Sequence, residues 1–395
     1  NIFEFRGADS NHMFLLSNEN GSSFVEMTEN YRCACSPVAF ANEFLKNIDN
    51  RIKHTPIIPV RKEAGLVEVT HHKSKYMYQP IAASIIRNND RKSSCVLTQT
   101  NEEAVIMMAL LRKNGINCKL IQSMEGLRFW NIAEMRYFIK YIDKRIQTQT
   151  ISDELWNEAR QKTFSFYGRS QSLSYIKHCL KQFEETNRIK YFSDFKEFVF
   201  ESSIEDFCDI SGTDVVVSTI HKAKGREFDN VYMLITDNHK KDDKQMRRYY
   251  VGITRARNRL YIHTDSSCFD HLHADKYITD EKEYEIPEEI MLQLSYKDVV
   301  LNFFKDKKNE ILSLRGGDPL TYRNYTLYDA STGKPVAKLS AKMHDTISGW
   351  EAKGYMVKSA SVRFVVAWKP KDAEDNEPET AVLLADLMLS RVRHV

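Results

Sequence analysis

The chain has 395 residues, of which 42% are hydrophobic and 11% aromatic, so it can bury a core and its length predicts two or three domains. Its net charge of +3 is too small to indicate a nucleic-acid partner by itself, and any basic groove must be local. No apolar run reaches the roughly 18 residues of a membrane span, and the first residues do not resemble a signal peptide.

The seven cysteines follow no spacing that indicates a disulfide framework, because none of them belongs to a C-x-x-C pair. Cys33 and Cys35 are separated by one residue, which is a weak metal signal compared with two ordinary thiols. Reduced cysteines are typical of a cytosolic protein, so we expect a cytoplasmic location. Because the chain begins with Asn1 and not with Met, we expect a fragment of a longer protein.

The N-terminal stretch NIFEFRGA combines aromatic and basic side chains. Phe5 could stack on a base and Arg6 could contact a phosphate, as in sites that bind single strands. The same pattern is more typical of a strand end that packs into a core. The residues alone therefore leave both interpretations open.

Residues 24–48 contain a predicted helix that is preceded by the tetrapeptide ENYR at residues 29–32. Ser36 is typical of an N-cap and Pro37 of a first helical residue, and apolar residues follow at helical spacing. Residues 49–92 are basic and polar. For this segment, a solvated surface that includes a β-hairpin is favoured over a DNA-binding surface.

Residues 94–122 predict a β-α-β unit. SCVLTQT is typical of a strand, Asn101 is predicted to cap the following helix, and Gly115 is predicted to end it. INCKLIQ is then the second strand. Residues 131–210 have apolar residues at three- and four-residue steps, which predicts helices throughout.

The segment 213–265 contains the polar residues whose positions say most about ligand binding. Short apolar runs predict buried parallel strands, whose carboxyl ends meet where α/β sheets bind ligands. Thr219 and His221 follow the first run. Glu227 could accept a hydrogen bond from a ribose, and Arg255, expected late in a helix from about Lys244, could stabilise phosphate charge. Each residue alone is more typical of a solvated loop or a surface ion pair.

The order of these residues resembles one helicase family. TIHKAKGREF followed by YVGITRARNRLYI is similar to motifs V and VI of the UvrD/Rep/PcrA group of superfamily 1 DNA helicases. ENYR is similar to motif IV and FRGA to the end of motif III, so the resemblance covers residues 1–265. The chain departs from the family pattern at Glu29, Cys33, Gln99 and Arg226, where the family has Gln, Ser, Arg and Leu.

The resemblance implies a nucleotide site and a DNA site. Tyr31 would stack on adenine, Gly225 and Glu227 would bind the nucleotide with Glu227 at the ribose, and Arg32 and Arg255 would be the catalytic arginines at the γ-phosphate. ATP is the implied cofactor, with Mg²⁺ ligands expected in an upstream domain. The residues that would contact single-stranded DNA are Phe5, Arg6, Asn101, Thr219 and His221.

The resemblance also implies an α/β fold class, with a RecA-like parallel-sheet domain of the P-loop-NTPase type and a helical insert. Residues 266–395 depart from the family pattern, and their strand and helix patterns predict a small C-terminal α+β or β-barrel-like module. Residues 1–124 and 211–280 would form the second motor domain, and residues 125–210 the helical accessory insert. Residues 281–395 would form the module, whose role is unknown. Within it, residues 296–314 predict a helix.

No phosphate-binding G-x-x-x-x-G-K-[S/T] loop occurs in the sequence, so we expect the first motor domain to lie upstream. The main hypothesis is the C-terminal motor half of an ATP-dependent DNA helicase or translocase, 3′-to-5′ on single strands. Without its N-terminal RecA-like domain, this half would be inactive as an ATPase. The alternative is a non-catalytic module that binds nucleic acid or protein and keeps the helicase fold. Walker A and Asp-Glu motifs encoded upstream would favour the motor.

Overall fold

The computed structural model describes residues 25–49, 55–88, 93–121, 127–208, 212–237, 242–369 and 379–392, together with residues 15, 19 and 53. Phe5 and Arg6, which are expected to contact DNA, lie outside the described residues. The chain divides into two compact units. Unit 1 contains Asn1–Gln122 and Gly212–Pro287, and unit 2 contains Ser123–Ser211 and Glu288–Val395.

The strands and helices follow one another along the described parts of the chain. The strands are β1 Glu29–Asn30, β2 Ile58–Pro59, β3 Leu66–His72, β4 Ser94–Thr98, β5 Cys118–Ile121, β6 Val215–Thr219, β7 Phe228–Ile235, β8 Ala256–Thr264, β9 Lys276–Asp280, β10 Glu289–Gln293, β11 Pro319–Arg323, β12 Thr326–Asp329, β13 Pro335–Lys338, β14 Tyr355–Trp368 and β15 Thr380–Arg391. The α-helices are α1 Cys35–Phe44, α2 Tyr78–Asn88, α3 Asn101–Lys113, α4 Ala133–Asp143, α5 Asp153–Phe166, α6 Leu173–Thr186, α7 Phe192–Glu201, α8 Asp243–Ile253, α9 Lys308–Ser313 and α10 Ala341–Glu351.

Unit 1 is built on a seven-stranded sheet with the strand order β5-β6-β4-β7-β8-β3-β9. All neighbouring strands in it are parallel. Every residue of β4 and β6 is buried, as expected for parallel strands that are covered on both faces. The predicted α/β class and the predicted parallel strands are therefore confirmed. The RecA-like assignment stays a prediction.

The N-cap of α3 is Thr100, so the prediction that Asn101 caps this helix was wrong. The Thr100 side chain accepts a hydrogen bond from the Glu103 backbone N–H, and the Glu103 carboxylate accepts one from the Thr100 backbone N–H. This capping box satisfies two backbone donors that the first turn would otherwise leave without a partner. The helix predicted after ENYR is confirmed as α1, but the prediction that Ser36 caps it was wrong, because its N-cap is Ala34 and it begins at Cys35.

The hairpin expected within residues 49–92 is absent from the described residues of that segment. β3 instead lies inside the sheet, parallel to both β8 and β9. Its polar residues suggested a surface, but they are buried with partners: Glu68 is 4% exposed and its carboxylate accepts a hydrogen bond from Lys276 Nζ at 2.9 Å. Paired polar side chains allowed this strand to be internal despite its composition.

In unit 2, the helices predicted over residues 131–210 are confirmed as α4 to α7, followed by a 3₁₀ turn at Ile204–Phe207. Their core is aromatic. The ring centroid of Trp156 lies 5.1 Å from that of Phe138 and 5.0 Å from that of Phe195. Both contacts are edge-to-face, the geometry that the ring quadrupoles favour.

Unit 2 also contains a six-stranded antiparallel sheet with the order β10-β15-β14-β11-β12-β13. The single helix predicted over residues 296–314 was wrong, because 3₁₀ turns at Tyr296–Asp298 and Leu301–Phe304 precede the short α9. Val299 forms a β-bridge with Leu339 in this segment. Backbone groups that pair with another strand cannot complete the helical ladder.

The helices and the antiparallel sheet of unit 2 are joined by direct contacts. Ile132 forms a β-bridge with Val366, and the Ser170 hydroxyl accepts a hydrogen bond from Gly316 N at 3.1 Å. The same hydroxyl donates to the buried Glu134 carboxylate at 2.5 Å.

The boundaries proposed for motor domain, insert and C-terminal module stay predictions. Among the described residues, no helix has both the length and the apolar character that crossing a membrane requires.

Candidate functional site

Glu227 and Arg255 lie side by side at the amino ends of two neighbouring strands. Phe228 and Ala256 are register partners in β7 and β8, and Phe228 N donates to Arg255 O at 3.0 Å. This location corrects two expectations. The pair does not lie at the carboxyl ends of the strands, and Arg255 follows the end of α8 at Ile253 instead of belonging to the helix.

The Arg255 guanidinium is fixed by three hydrogen bonds within unit 1. Nε donates to Val251 O at 2.9 Å, Nη1 to Arg226 O at 3.0 Å, and Nη2 to Thr254 Oγ1 at 3.0 Å. Burial, and then the positive charge of Arg32, lower the pKa of Arg255 from its ordinary value. A phosphate at this position would therefore meet a guanidinium that is already oriented.

The Glu227 carboxylate pairs with two arginines. Oε2 accepts from Arg32 Nε and Oε1 accepts from Arg257 Nη2. The hydrogen bond from Arg257 is the main cause that lowers the pKa of Glu227, and the charges of Arg32, Arg257 and Arg255 act in the same direction. The sequence motifs indicate Glu227 but not Arg257. The R-A-R spacing carried a signal, since residues two apart in an extended chain face the same side.

The segment that carries Arg32 is held against β8 by its backbone. Asn30 Oδ1 accepts from Arg32 N at 2.9 Å and from Cys33 N at 2.8 Å, which forms a tight turn after β1. Ala34 N donates to Arg257 O at 2.7 Å. Arg61 Nη1 donates to Arg32 O at 2.8 Å. The basic composition of residues 49–92 gave no indication of this role for Arg61.

Tyr31 and Gly225, which are also expected to bind the nucleotide, contribute to the candidate site in different ways. The Tyr31 side chain is exposed, and its hydroxyl donates to the Glu29 carboxylate, a hydrogen bond that raises the pKa of Tyr31. An aromatic ring in this position presents a face on which a base could stack. Gly225 has a φ of +87°, a left-handed conformation that favours glycine. It forms part of the turn that leads to Glu227.

Three of the residues expected to contact DNA lie at the opposite end of the sheet. Thr98 and Thr219 are register partners at the carboxyl ends of β4 and β6. Asn101 and His221 follow these two strands, and the Asn101 side chain is exposed. Thr219 is only 6% exposed, so its side chain packs at the end of β6 and presents little surface to a ligand.

His221 is neutral at pH 7. Burial is the main cause, and the charges of Arg248, Lys222 and Lys244 add to it; together they lower the pKa of His221 to about 4. A neutral imidazole keeps one N–H donor and one acceptor nitrogen. His221 can therefore hydrogen-bond a nucleic acid but does not add charge to attract it.

A second buried polar cluster, which we call the histidine relay, joins β3, β8 and β9. His72 Nδ1 lies 3.0 Å from Asp280 Oδ2, and His72 Nε2 lies 2.9 Å from His263 Nδ1. The Tyr284 hydroxyl donates to Asp280 Oδ2 at 2.8 Å. Burial lowers the pKa of both histidines, that of His263 to about 3. Within the described ranges, no group of three or more His, Cys, Asp or Glu residues could hold a metal ion.

Comparisons with known proteins agree with the sequence motifs. The family described as UvrD-like helicase C-terminal domain matches residues 25–152 and 131–267. The chain is 30% identical over 163 residues to the DNA helicase II of Rickettsia typhi, which covers 37% of this chain and 23% of that protein. It has the same identity and coverage with a probable DNA helicase II homolog of Rickettsia felis. The chain thus matches less than a quarter of the length of these relatives.

Among solved structures, the C-terminal domain of a possible DNA helicase from Lactobacillus plantarum WCFS1 aligns with 64% of this chain and 99% of its own, at 13% identity and a TM-score of 0.33. The family match carries the assignment, because it extends over more than half of the chain and contains Arg32, Glu227 and Arg255. The resemblance read from the motifs is confirmed, and the chain belongs to the UvrD-like helicase C-terminal domain family.

Proposed function

We propose that this chain is the C-terminal motor half of an ATP-dependent DNA helicase or translocase that moves 3′-to-5′ on single-stranded DNA. The observation that carries the proposal is the meeting of Arg32, Glu227 and Arg255. The Arg32–Glu227 ion pair and the β7–β8 register unite three separate sequence motifs at one end of the sheet. A plain binding module has no need for that convergence.

The charge of this cluster suits a nucleoside triphosphate. Arg32, Arg255 and Arg257 lie around the Glu227 carboxylate, so the formal charge of these four side chains is positive. Arginine is suited to phosphate because its planar guanidinium presents several donors in a fixed arrangement. A cluster of this composition attracts a polyanion and offers one carboxylate for a sugar hydroxyl.

Each residue has a distinct role in this proposal. Tyr31 stacks on the base, Glu227 accepts a hydrogen bond from the ribose, and Gly225 gives the turn its shape. Arg32 and Arg255 donate to the γ-phosphate, where they stabilise the charge that spreads over its oxygens during transfer to water. A first motor domain upstream would supply the phosphate-binding loop and the Mg²⁺ ligands. For that reason we infer that this half alone does not hydrolyse ATP.

Single-stranded DNA is proposed to run along the carboxyl ends of β4 and β6, past Asn101, Thr219 and His221, with Phe5 and Arg6 as further contacts. α8 supports a link between the two sites. It begins after β7, on the side of the sheet where His221 lies, and ends two residues before Arg255. A shift of this helix would therefore move residues at both ends of the sheet.

The experiment is the ATPase activity of the full-length protein that contains this chain, measured with and without single-stranded DNA. The proposal predicts hydrolysis that DNA stimulates, and no hydrolysis by this chain alone. If the full-length protein binds single strands but does not hydrolyse ATP, the motor fails and a non-catalytic binding module replaces it.

A further inference from the structure

The two arginines that share Glu227 lie in different elements of unit 1. Arg257 lies within β8, and its carbonyl oxygen accepts a hydrogen bond from Ala34 N at 2.7 Å. Arg32 lies in the turn after β1, and its side chain is 48% exposed, compared with 42% for Arg257. Hydrogen bonds hold the backbones of both residues, but the hydrogen bond from Arg257 has the larger effect on the Glu227 carboxylate.

Arg255 acts on Glu227 through its charge and not through a hydrogen bond. Its guanidinium already donates to Val251 O, Arg226 O and Thr254 Oγ1. A departure of Arg32 from Glu227 would therefore leave Arg257 as the hydrogen-bonded cation of that carboxylate. Without Arg257, the carboxylate would have no hydrogen-bonded cation beside an incoming polyanion.

We propose that Arg257 is a positioning residue of the nucleotide site, which holds Glu227 in place while Arg32 exchanges from Glu227 to the terminal phosphate of a nucleoside triphosphate. The inference rests on the proposed function, because it needs a nucleotide at this cluster. No covalent step is involved. One ion pair, Arg32 with Glu227, is replaced by another, Arg32 with phosphate, and Arg257 keeps the carboxylate neutralised.

Arg61 supports the exchange by fixing the two backbones and not the two side chains. Its Nη1 donates to Arg32 O at 2.8 Å and lies 3.5 Å from Arg257 O, and its Nη2 donates to Asn258 Oδ1 at 2.8 Å. The turn that carries Arg32 is thereby held beside β8. The Arg32 guanidinium can change partners without a movement of the chain.

The exchange makes a prediction that a structural role for Arg257 does not make. If Arg257 acts through the Glu227 charge, removing Arg257 harms nucleotide binding only while that charge is present. If Arg257 merely stabilises β8, its removal has the same effect whether residue 227 is charged or neutral. A double-mutant cycle between the two positions separates these roles.

The test measures the dissociation constant of a fluorescent, non-hydrolysable ATP analogue with the full-length protein. We expect Arg257→Gln to weaken binding about tenfold, the size of one lost charge-assisted contact, and Arg257→Lys to restore most of it. In a Glu227→Gln background, Arg257→Gln should change the constant less than about twofold. Arg259→Gln, the same charge change at an exposed position of β8, is the matched control and should bind like the wild type.

An equal loss from Arg257→Gln in both backgrounds would overturn the inference and leave Arg257 a structural residue. Unchanged binding in Arg257→Gln would overturn it as well, while the proposed function would stand. If the wild-type protein binds no nucleotide, the proposed function fails and the exchange fails with it. Thermal unfolding of every variant shows whether a loss of binding comes from a loss of folding.

Discussion

The Arg255 guanidinium donates to the carbonyl oxygen of Arg226 across 3.0 Å, and this bond joins the end of α8 to the loop that precedes Glu227. Arg255 is thus oriented by the same loop that presents the proposed ribose-binding carboxylate. Two motifs that are separate in sequence consequently behave as one structural element. A ligand that moves the loop must also move the guanidinium.

Arg255→Ala in the full-length protein should reduce the ATP turnover number by about 10³–10⁵, as for other arginines that stabilise phosphoryl-transfer charge. Nucleotide binding should fall much less, because the contact strengthens mainly in the transition state. Steady-state ATPase kinetics with single-stranded DNA give both quantities. Arg259→Ala is the control, and normal turnover in Arg255→Ala would remove Arg255 from the catalytic role.

His221→Ala should weaken binding of single-stranded DNA about tenfold, which corresponds to about one hydrogen bond. Because the pKa of His221 is lowered to about 4, the residue is neutral at pH 7 and releases no counterion on binding. The slope of log affinity against log salt should therefore stay the same in the variant. Fluorescence anisotropy at several salt concentrations measures it, and a slope reduced by about 0.7 would indicate that His221 binds as a cation.

Thr100→Ala should destabilise the chain by about 1 kcal/mol, because it removes the side-chain acceptor of the α3 capping box. Asn101→Ala, one residue further along, is the matched control and should cost less than about 0.5 kcal/mol, since its side chain is exposed. Urea unfolding gives the free energies. Equal losses in the two variants would contradict the assignment of Thr100 as the N-cap.

Acidification should destabilise unit 1 through the histidine relay. Burial lowers the pKa of His72, and that of His263 to about 3, whereas an unfolded histidine titrates near 6.5. Below about pH 6.5 the unfolded chain therefore binds more protons than the folded one. The relay's contribution is complete above that pH and is lost as the pH falls, by at most about 1.4 kcal/mol per pH unit for each histidine.

The melting temperature should thus drop between about pH 7.5 and pH 5.5, and His263→Gln should reduce the size of that drop. The exposed His271 provides a control, because His271→Gln should leave the drop unchanged. Differential scanning fluorimetry at a series of pH values measures all three proteins. Identical drops in the wild type and in His263→Gln would show that the relay does not couple protonation to folding.

Continuous apolar runs predicted the sheet of unit 1, because a strand that is buried on both faces needs apolar side chains along its whole length. The runs at β6, β7 and β8 did become neighbours of β4 or of each other. β3 has no such apolar run, because its Glu68 and His72 are buried with specific partners. Those partners, Lys276 and Asp280, lie far along the chain, so the local sequence could not indicate them.

Family motifs identified Arg32, Glu227 and Arg255, and the structure brings the three together. Arg257 and Arg61 were missed because their contacts depend on how the turn after β1 packs against β8. The expected position of Arg255 within a helix was wrong for a related reason. α8 ends at Ile253, and the backbone then enters β8 within three residues to pair with β7.

The most direct test of the nucleotide site is a crystal structure of the full-length protein with a non-hydrolysable ATP analogue and single-stranded DNA. We expect γ-phosphate oxygens within about 3 Å of the Arg32 and Arg255 guanidinium groups, a ribose hydroxyl at Glu227, and the base on Tyr31. A nucleotide bound away from the amino ends of β7 and β8, with Arg32 still paired to Glu227, would contradict it.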